Sequence, residues 1–390
     1  MAGKYILGVD IGTSAVKALA ATRSDGLAGV CGSGTVPCAG FAKGAMTDVA
    51  ALAAAIREAV DCALMASAAP HEAIHLGIGG LDITAQNGIG SIVPASGTVT
   101  GADVEKACRA AAIVAAPDDQ RTLHVMPIGF WLDGRPEADA PEGKQGGRLE
   151  VETHIVSVSR QAVDELIAAL AAKHLTVASV FANAVVSASA VADGPSCLVM
   201  DMGAGLTDLA LYSGGNIVLS ASVPLGGDYI TGDIMQGLGI TRPHAEEVKR
   251  YYAKLARDLS GREIVLDCND FGTTDKNVEY DFLYKIIESR VEEIVSLLFA
   301  YVEPALARYG AEKILLTGGS SLLPSVGEWT GKIFGRTVQL AKPTADIPAE
   351  YAHPALASGV GIIGYAARLT PTGQDSGPLR SFFRKLKQYV

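Results

Sequence analysis

The stretch that most constrains this chain is Leu198-Val-Met-Asp-Met-Gly-Ala-Gly-Leu-Thr-Asp-Leu-Ala-Leu-Tyr212. It reads as an apolar strand, a glycine turn and a second apolar strand, with one acid, Asp201, where the first strand ends. A near copy opens the chain, Ile6-Leu-Gly-Val-Asp-Ile-Gly-Thr-Ser-Ala-Val-Lys-Ala-Leu-Ala20, with Asp10 in the same place. Two hairpins of one design, about half the chain apart, predict a duplicated α/β fold that closes around something held between the copies.

At 390 residues the expectation is two or three domains with ample material for cores. Aromatics are only 6% and alanine is abundant, which favours helices packed closely on sheets. A net charge of −10 argues against nucleic-acid partners, which require a basic face. The six cysteines are scattered with no C-x-x-C pair, as expected of reduced cytosolic thiols. The first apolar run is broken by Asp10 and glycines, so it does not read as a secretion signal. No run approaches about 18 uninterrupted apolar residues, so no membrane span is expected. These features predict a cytoplasmic protein.

Along the chain, strands are expected at Tyr5–Val9, from the Asp10–Ser14 turn to about Ala21, at Gly29–Val36 and at Ile74–Gly80. A helix capped by Thr47 or Asp48 runs to Ala68. The segment 82–158 has another texture: short strands at Ile83–Gln86 and Ile89–Val93, a helix from Thr100 to about Ala115, and strands at Leu123–Ile128 and Glu150–Ser157. Leu132–Arg148, rich in Pro, Gly and charge, reads as a mobile loop between them. A helix at Arg160–Lys173 with a Ser159 cap follows. After Tyr212 come a hairpin at Asn216–Val223, a helix to Leu238, charged helices at Pro243–Leu259 and Tyr284–Tyr301, a strand at Lys313–Leu316 and a last core helix at His353–Ala367.

An acid at a buried strand end followed by glycine and small residues suits a nucleoside triphosphate. The turn offers N–H groups and the Thr13 and Ser14 hydroxyls to phosphate oxygens, and glycine lets phosphate approach the backbone. Asp10 and Asp201 would hold Mg²⁺ through waters, and Lys17 is a further phosphate candidate. An isolated hairpin of this kind reads equally well as an ordinary Asp-bearing turn. Two copies plus the late Gly318-Gly319-Ser320 turn favour a nucleotide site.

These residues carry a resemblance. Asp10-Ile-Gly-Thr-Ser and Asp201-Met-Gly-Ala-Gly-Leu-Thr-Asp resemble the two phosphate motifs of the actin, sugar-kinase and heat-shock ATPase superfamily. Leu316-Thr-Gly-Gly-Ser-Ser-Leu-Leu-Pro324 resembles its adenosine motif, and Asn183–Ala190 and His353–Gly364 its connecting helices. Lys43-Gly-Ala-Met-Thr-Asp48, Arg121-Thr-Leu-His-Val-Met-Pro127, Gly147-Arg-Leu-Glu150 and His154-Ile narrow the likeness to the FtsA family of bacterial cell-division proteins, over nearly the whole chain. The resemblance implies an actin-like (ribonuclease H-like) duplicated ATPase fold with two lobes around a nucleotide cleft. Its first core lobe would be 1–81, 159–194 and 340–369, with an FtsA-type insertion at 82–158. The second lobe would be 195–230 and 305–339, with a small subdomain at 231–304. It implies ATP with phosphate contacts at Gly12, Thr13, Ser14, Gly203 and Gly205, and Mg²⁺ at Asp10 and Asp201. Gly318, Gly319 and Ser320 would take the adenosine, and Glu246 with Lys249, one helical turn apart, the ribose and base.

One departure stands out. Where the family reads Asp-x-Gly-Gly-Gly-Thr, this chain has Ala204 and Leu206, so a hydroxyl near the terminal phosphate gives way to a branched alkyl group. Removing a polar interaction at a desolvated site costs on the order of 1–3 kcal/mol, so ATP is expected to bind and to be hydrolysed weakly at most. Thr207 is expected to point to the other face of its strand.

The tail after a linker at 370–378 places Leu379, Phe382, Phe383, Leu386 and Val390 on one helical stripe. Arg380, Arg384, Lys385 and Lys387 surround it, giving a basic segment on an acidic protein. Twelve residues are too few to span a bilayer, so 379–390 is expected to lie in an anionic membrane surface as an amphipathic targeting helix. Its apolar groups contribute a gross ~8–15 kcal/mol, offset in part by ordering a short helix, which predicts reversible binding. The resemblance further implies the FtsZ C-terminal peptide as partner, received near Arg290 on the second lobe's small subdomain. It also implies self-stacking into filaments, other divisome proteins as partners, and a peripheral location on the cytoplasmic face at the division site. Alternatives are a pilus-assembly scaffold of the same superfamily or a small-molecule kinase, against both of which the basic tail weighs. A third is a chaperone ATPase, which would normally carry a substrate-binding domain after its core, where about 25 residues follow Ala366 here.

Overall fold

A computed structural model describes residues 5–24, 27–70, 72–115, 118–252, 263–266, 276–344 and 347–369. The linker, the amphipathic tail and the end of the helix expected over Pro243–Leu259 lie outside the described residues.

The first hairpin is β1 (Tyr5–Ile11) and β2 (Ala15–Ser24), extended by β3 (Leu27–Pro37) into an antiparallel meander. A small ribbon, β4 (Phe41–Ala42) and β5 (Ala45–Met46), leads to α1 (Val49–Ser67). Asp48 is the cap: its carboxylate accepts from the Ala50 and Ala51 N–H groups, satisfying donors that the first helical turn leaves free. Alanines at 53, 55, 59 and 63 are buried against the sheet, which is how an alanine-rich helix approaches closely. β6 (Ile74–Ile78) then runs parallel to β1.

The segment after β6 builds its own sheet. β7 (Thr84–Ile92) is one continuous edge strand where two short strands were expected, because Asn87 and Gly88 pair straight through with His154 and Thr153. α2 (Gly101–Ala115), β8 (Gln120–Leu132), β9 (Arg135–Glu137) and β10 (Leu149–Ser159) complete it in the order β7-β10-β8-β9. The expected loop at Leu132–Arg148 thus contains a strand. It is also tied down by Asp133, whose carboxylate accepts from the Gly147 and Arg148 N–H groups. α3 (Arg160–Ala171) is capped by the Ser159 hydroxyl, which accepts from Ala162 N–H. β11 (Val177–Ala182), absent from the sequence expectation, joins β6 at the sheet edge and feeds α4 (Asn183–Val191).

The second hairpin is β12 (Cys197–Met202) and β13 (Thr207–Ser213), extended by β14 (Asn216–Val223). α5 (Gly227–Leu238), α6 (Arg242–Tyr252), the ribbon β15 (Glu263–Leu266) with β16 (Lys276–Glu279), and α7 (Tyr280–Tyr309) follow. α7 outruns its expected limits because its buried residues continue at helical spacing from Tyr280 to Leu306, past Pro304. β17 (Lys313–Thr317), α8 (Pro324–Phe334), β18 (Thr337–Leu340) and α9 (Ala357–Leu369) close the described chain. Residues Pro354–Leu356 form a 3₁₀ turn ahead of α9.

The duplication is topological. The first sheet runs β11-β6-β1-β2-β3 and the second β18-β17-β12-β13-β14, so each strand of one has its counterpart in the other. Register repeats as well: Asp10 faces Lys17 across the first hairpin, and Asp201 faces Asp208 across the second. α4 and α9 pack on each other between the sheets, α9 against β1 and β2, α4 against β12 and β13.

The β7–β10 sheet is pinned to β14. Asn87 Nδ2 donates to Val218 O at 3.1 Å, and Asn216 Nδ2 donates to Ile128 O at 3.3 Å. Buried His154 bridges Asn87 Oδ1 (2.6 Å from Nδ1) and Ser220 Oγ (2.8 Å from Nε2), so the neutral ring donates from Nδ1 and accepts at Nε2. His124 Nε2 accepts from Ala182 N–H at 3.0 Å. Burial pushes His154 down to about 4, and burial together with His154 pushes His124 down to about 3.

Unfolded histidine titrates near 6.5, so below that value the unfolded chain binds protons that the native rings refuse. The stability contributed by these two rings is therefore full above about pH 6.5 and falls as pH drops toward the folded values. Between pH 7 and pH 5 His154 should contribute a loss of about 2 kcal/mol. In urea unfolding, the change in stability over that interval should therefore be less unfavourable in His154→Gln than in the wild type by about that amount.

Candidate functional site

Both hairpin turns end at the same crevice between the sheets. Gly12 N–H donates to Ala15 O at 3.2 Å in the first turn, and Gly203 N–H donates to Leu206 O at 2.8 Å in the second, the same closure in each copy. The third turn follows β17, with Gly318 at φ 86°. It is tied to the second turn by Ser320 Oγ, which donates to Gly203 O at 2.8 Å. α5 begins on the second turn too: Gly227 N–H donates to Gly203 O and Asp228 N–H to Ala204 O.

A cavity of about 570 Å³ occupies the crevice, within the roughly 300–1,000 Å³ usual for small-molecule sites. Asp10, Gly12, Thr13, Ser14, Lys17, Asp201, Gly203, Gly205, Glu246, Lys249, Gly318, Gly319 and Ser320 all line it, so every residue expected at the nucleotide or metal converges there. Four polar or charged lining residues were not named as site residues from sequence: Asn183, Asp208, Arg250 and Ser358. Asp208 had a signal, since it stands seven residues after Asp201 as Lys17 does after Asp10. Asn183 and Ser358 had none, because helix packing alone brings α4 and α9 to the strand ends.

The floor is acidic. Asp10 accepts from Lys17 Nζ at 3.3 Å and from Asn183 Nδ2 at 3.0 Å. Asp201 accepts from Ser358 Oγ at 2.9 Å. Burial, reinforced by Asp10, pushes Asp201 up to about 6. Burial and then Asp201 push Asp208 well above the carboxylate range, and its Oδ1 has no partner. Three buried carboxylates against one lysine form a donor set that a divalent cation would stabilise. Among the described residues no group of three or more His, Cys, Asp or Glu side chains is arranged to hold a metal ion.

On the opposite wall, Lys249 is buried and donates to Glu246 Oε1 at 2.7 Å, Thr231 Oγ1 at 2.7 Å and Gly227 O at 3.2 Å. Burial raises the Glu246 pKa, but the Lys249 charge and its hydrogen bonds outweigh that and hold it below the usual value. Thr207 Oγ1 donates to Leu225 O at 2.7 Å and lies outside the cavity lining, as strand alternation requires. Leu206 lines the cavity, yet the residue is only 8% exposed and belongs to the apolar cluster of the first sheet.

Arg290 lies elsewhere. As a lone surface charge it would be free, but its guanidinium pairs with both oxygens of Asp233 (Nη2–Oδ1 2.9 Å) and with Glu293 Oε2 at 2.7 Å. It stacks over the Tyr229 ring, 5.9 Å from the centroid, and Lys43 from the β4–β5 ribbon lies 5.2 Å from the same ring.

Residues 198–361 match the family model described as cell division protein FtsA, and residues 80–157 that of the SHS2 domain inserted in FtsA. Similar relatives include the cell division protein FtsA of Pseudomonas aeruginosa, 31% identical over 96% of this chain and 92% of that one. The FtsA of Bacillus subtilis is 28% identical over 92% of this chain and 83% of that one. Among solved structures, the PilM–PilN type IV pilus biogenesis complex matches with a TM-score of 0.67 at 18% identity, covering 93% of this chain and 98% of that one. MreB5 of Spiroplasma citri bound to AMPPNP matches with a TM-score of 0.51 at 16% identity, covering 91% and 94%. These structures carry the actin-like ATPase fold.

The two phosphate-type turns touch through Thr13 and Gly205. A Cβ on Gly205 would meet Thr13 Oγ1 at 2.5 Å and Cγ2 at 2.9 Å. Gly205→Ala should therefore force the turns apart and cost about 1–3 kcal/mol in urea unfolding. The Gly205→Ala/Thr13→Ala double variant should recover most of that loss.

Proposed function

The chain belongs to the FtsA family of cell division proteins, and from that premise we propose an ATP-binding, actin-like protein that polymerises and tethers FtsZ filaments to the cytoplasmic face of the cell membrane. The observation that carries this reading is the convergence of three glycine turns and the Asp10–Asp201 pair on one cavity of nucleotide size. In this reading Gly12, Thr13 and Ser14 grip the phosphates from one side and Gly203 and Gly205 from the other. Lys17 neutralises Asp10 and reaches the same phosphates. Gly318, Gly319 and Ser320 take the adenosine, against Glu246 and Lys249.

Asp10 and Asp201 hold a hydrated Mg²⁺, whose charge offsets that of the phosphates and the acidic floor. Asn183 and Ser358 keep the two carboxylates aimed at that position. Fold relatives support a nucleotide here, since MreB5 of Spiroplasma citri is described bound to AMPPNP and to ADP. Turnover is weak at most, because Leu206 offers methyl groups where a hydroxyl would engage the terminal phosphate. ATP then acts through conformation and assembly.

Membrane attachment falls to Leu379, Phe382, Phe383 and Leu386 with their basic neighbours. Among the described residues no helix is long and apolar enough to cross a membrane, which suits a peripheral attachment. The FtsZ peptide, acidic and apolar, docks at Arg290, where its carboxylates take over the position of Asp233. Filament contacts and further divisome partners complete the role.

Co-sedimentation with anionic liposomes and FtsZ tests the whole. The full chain with Mg-ATP should bring FtsZ down, and removing 379–390 should leave both in the supernatant. Arg290→Glu should abolish FtsZ recruitment and keep membrane binding. Lipid binding undiminished by the truncation, or FtsZ recruitment undiminished by Arg290→Glu, would overturn the corresponding part.

A further inference from the structure

Resting on the nucleotide reading above, we infer that Leu206 makes this site indifferent to the terminal phosphate, so that nucleoside diphosphates and triphosphates bind with near-equal affinity. The two copies of the turn differ at the positions that read phosphate. The first carries the Ser14 hydroxyl and the Thr13 hydroxyl, the latter buried beside Gly205 with no hydrogen-bond partner; at the equivalent places the second has Ala204 and Gly205. The nearest hydroxyl of the second copy, on Thr207, is committed to the Leu225 carbonyl. The second lobe's turn therefore offers phosphate backbone groups and no side-chain hydroxyl. A third phosphate there gains no side-chain donor, and it adds negative charge beside Asp201 and Asp208.

The same leucine supplies another means of holding the turns together. Its side chain leaves the second turn and enters the apolar cluster of the first sheet, with Phe41, Ile78 and Leu81. Its methyls lie against two glycines of the first lobe: a Cβ on Gly44 would stand 3.0 Å from Leu206 Cδ2, and one on Gly79 3.1 Å from Cδ1. Gly80 N–H donates to Ser222 Oγ at 2.9 Å beside it, and Thr13 abuts Gly205. These contacts are made by protein atoms alone. A ligand shifts a closure equilibrium only by its differential affinity for the two states, and a contact already made by Leu206 is one the terminal phosphate no longer contributes.

Isothermal titration of the full chain with ATP and with ADP, Mg²⁺ in excess, reads the ratio directly. The wild-type dissociation constants should agree within about threefold, less than the tenfold that one charge-assisted hydrogen bond confers. Leu206→Thr, which supplies a hydroxyl, should favour ATP by about tenfold or more. Leu206→Ala, which removes the packing without adding a donor, should weaken both nucleotides and keep their ratio. A wild-type preference for ATP of about tenfold or more overturns the inference, as does an unchanged ratio in a Leu206→Thr variant that melts cooperatively. Failure of the wild type to bind either nucleotide overturns the nucleotide reading itself, whereas binding with a strong ATP preference leaves that reading standing.

Discussion

Carboxylates held out of water at the ends of central strands are the constraint to which the rest of the cleft answers. Asp10 and Asp201 each end the middle strand of a five-stranded sheet, where flanking strands and the helices α4 and α9 exclude solvent. An ionised carboxylate in such a place is costly unless paired. The first hairpin resolves this within itself, because the register sets Lys17 opposite Asp10. The second sets Asp208 opposite Asp201 and deepens the problem. Asn183 and Ser358 offset part of it, and the remaining negative charge is what a divalent cation and a phosphate chain together would balance.

The lobes are held at three levels. At the base, α4 and α9 pack between the sheets. At the side, the β7–β10 sheet bonds to β14 through Asn87, Asn216 and the buried, neutral His154. At the mouth, Thr13 meets Gly205 and Leu206 enters the first lobe's apolar cluster. The mouth contacts touch the cavity itself, so ligand binding and lobe packing share atoms there. α5 extends that connection outward: its first residues bond to the second turn, and within two helical turns it carries Tyr229 and Asp233 against Arg290. One helix, α5, thus links the second turn to the proposed docking residue on α7.

Much of this was legible in the chain itself. Apolar runs punctuated by Asp and Gly at 6–20 and 198–212 determined two strand–turn–strand units and their equivalence, and hence a cleft between copies. Local chemistry also set the caps, Asp48 and Ser159, because those side chains answer to N–H groups a few residues away. Where sequence reasoning erred, the deciding partner was distant. β7 is continuous because β10, some 60 residues on, pairs through its Gly88, and the Pro- and Gly-rich 132–148 holds a strand because β8 offers it an edge.

Tertiary structure alone decided the remainder. Which atoms surround Asp10 and Asp201 depends on where α4 and α9 cross the strand ends, a matter of packing with no local signature, so Asn183 and Ser358 were invisible beforehand. The pairing of Arg290 with Asp233 has no local signal either, because it arises only where α5 and α7 lie side by side. Leu206 is the sharpest case. In sequence it is a missing hydroxyl; in the fold its methyls fill a space between Gly44 and Gly79 on the other lobe. The sequence determined what the second turn lacks, because residue chemistry is local. Only the meeting of the two lobes decided what that turn does instead, because contact across the cleft is not.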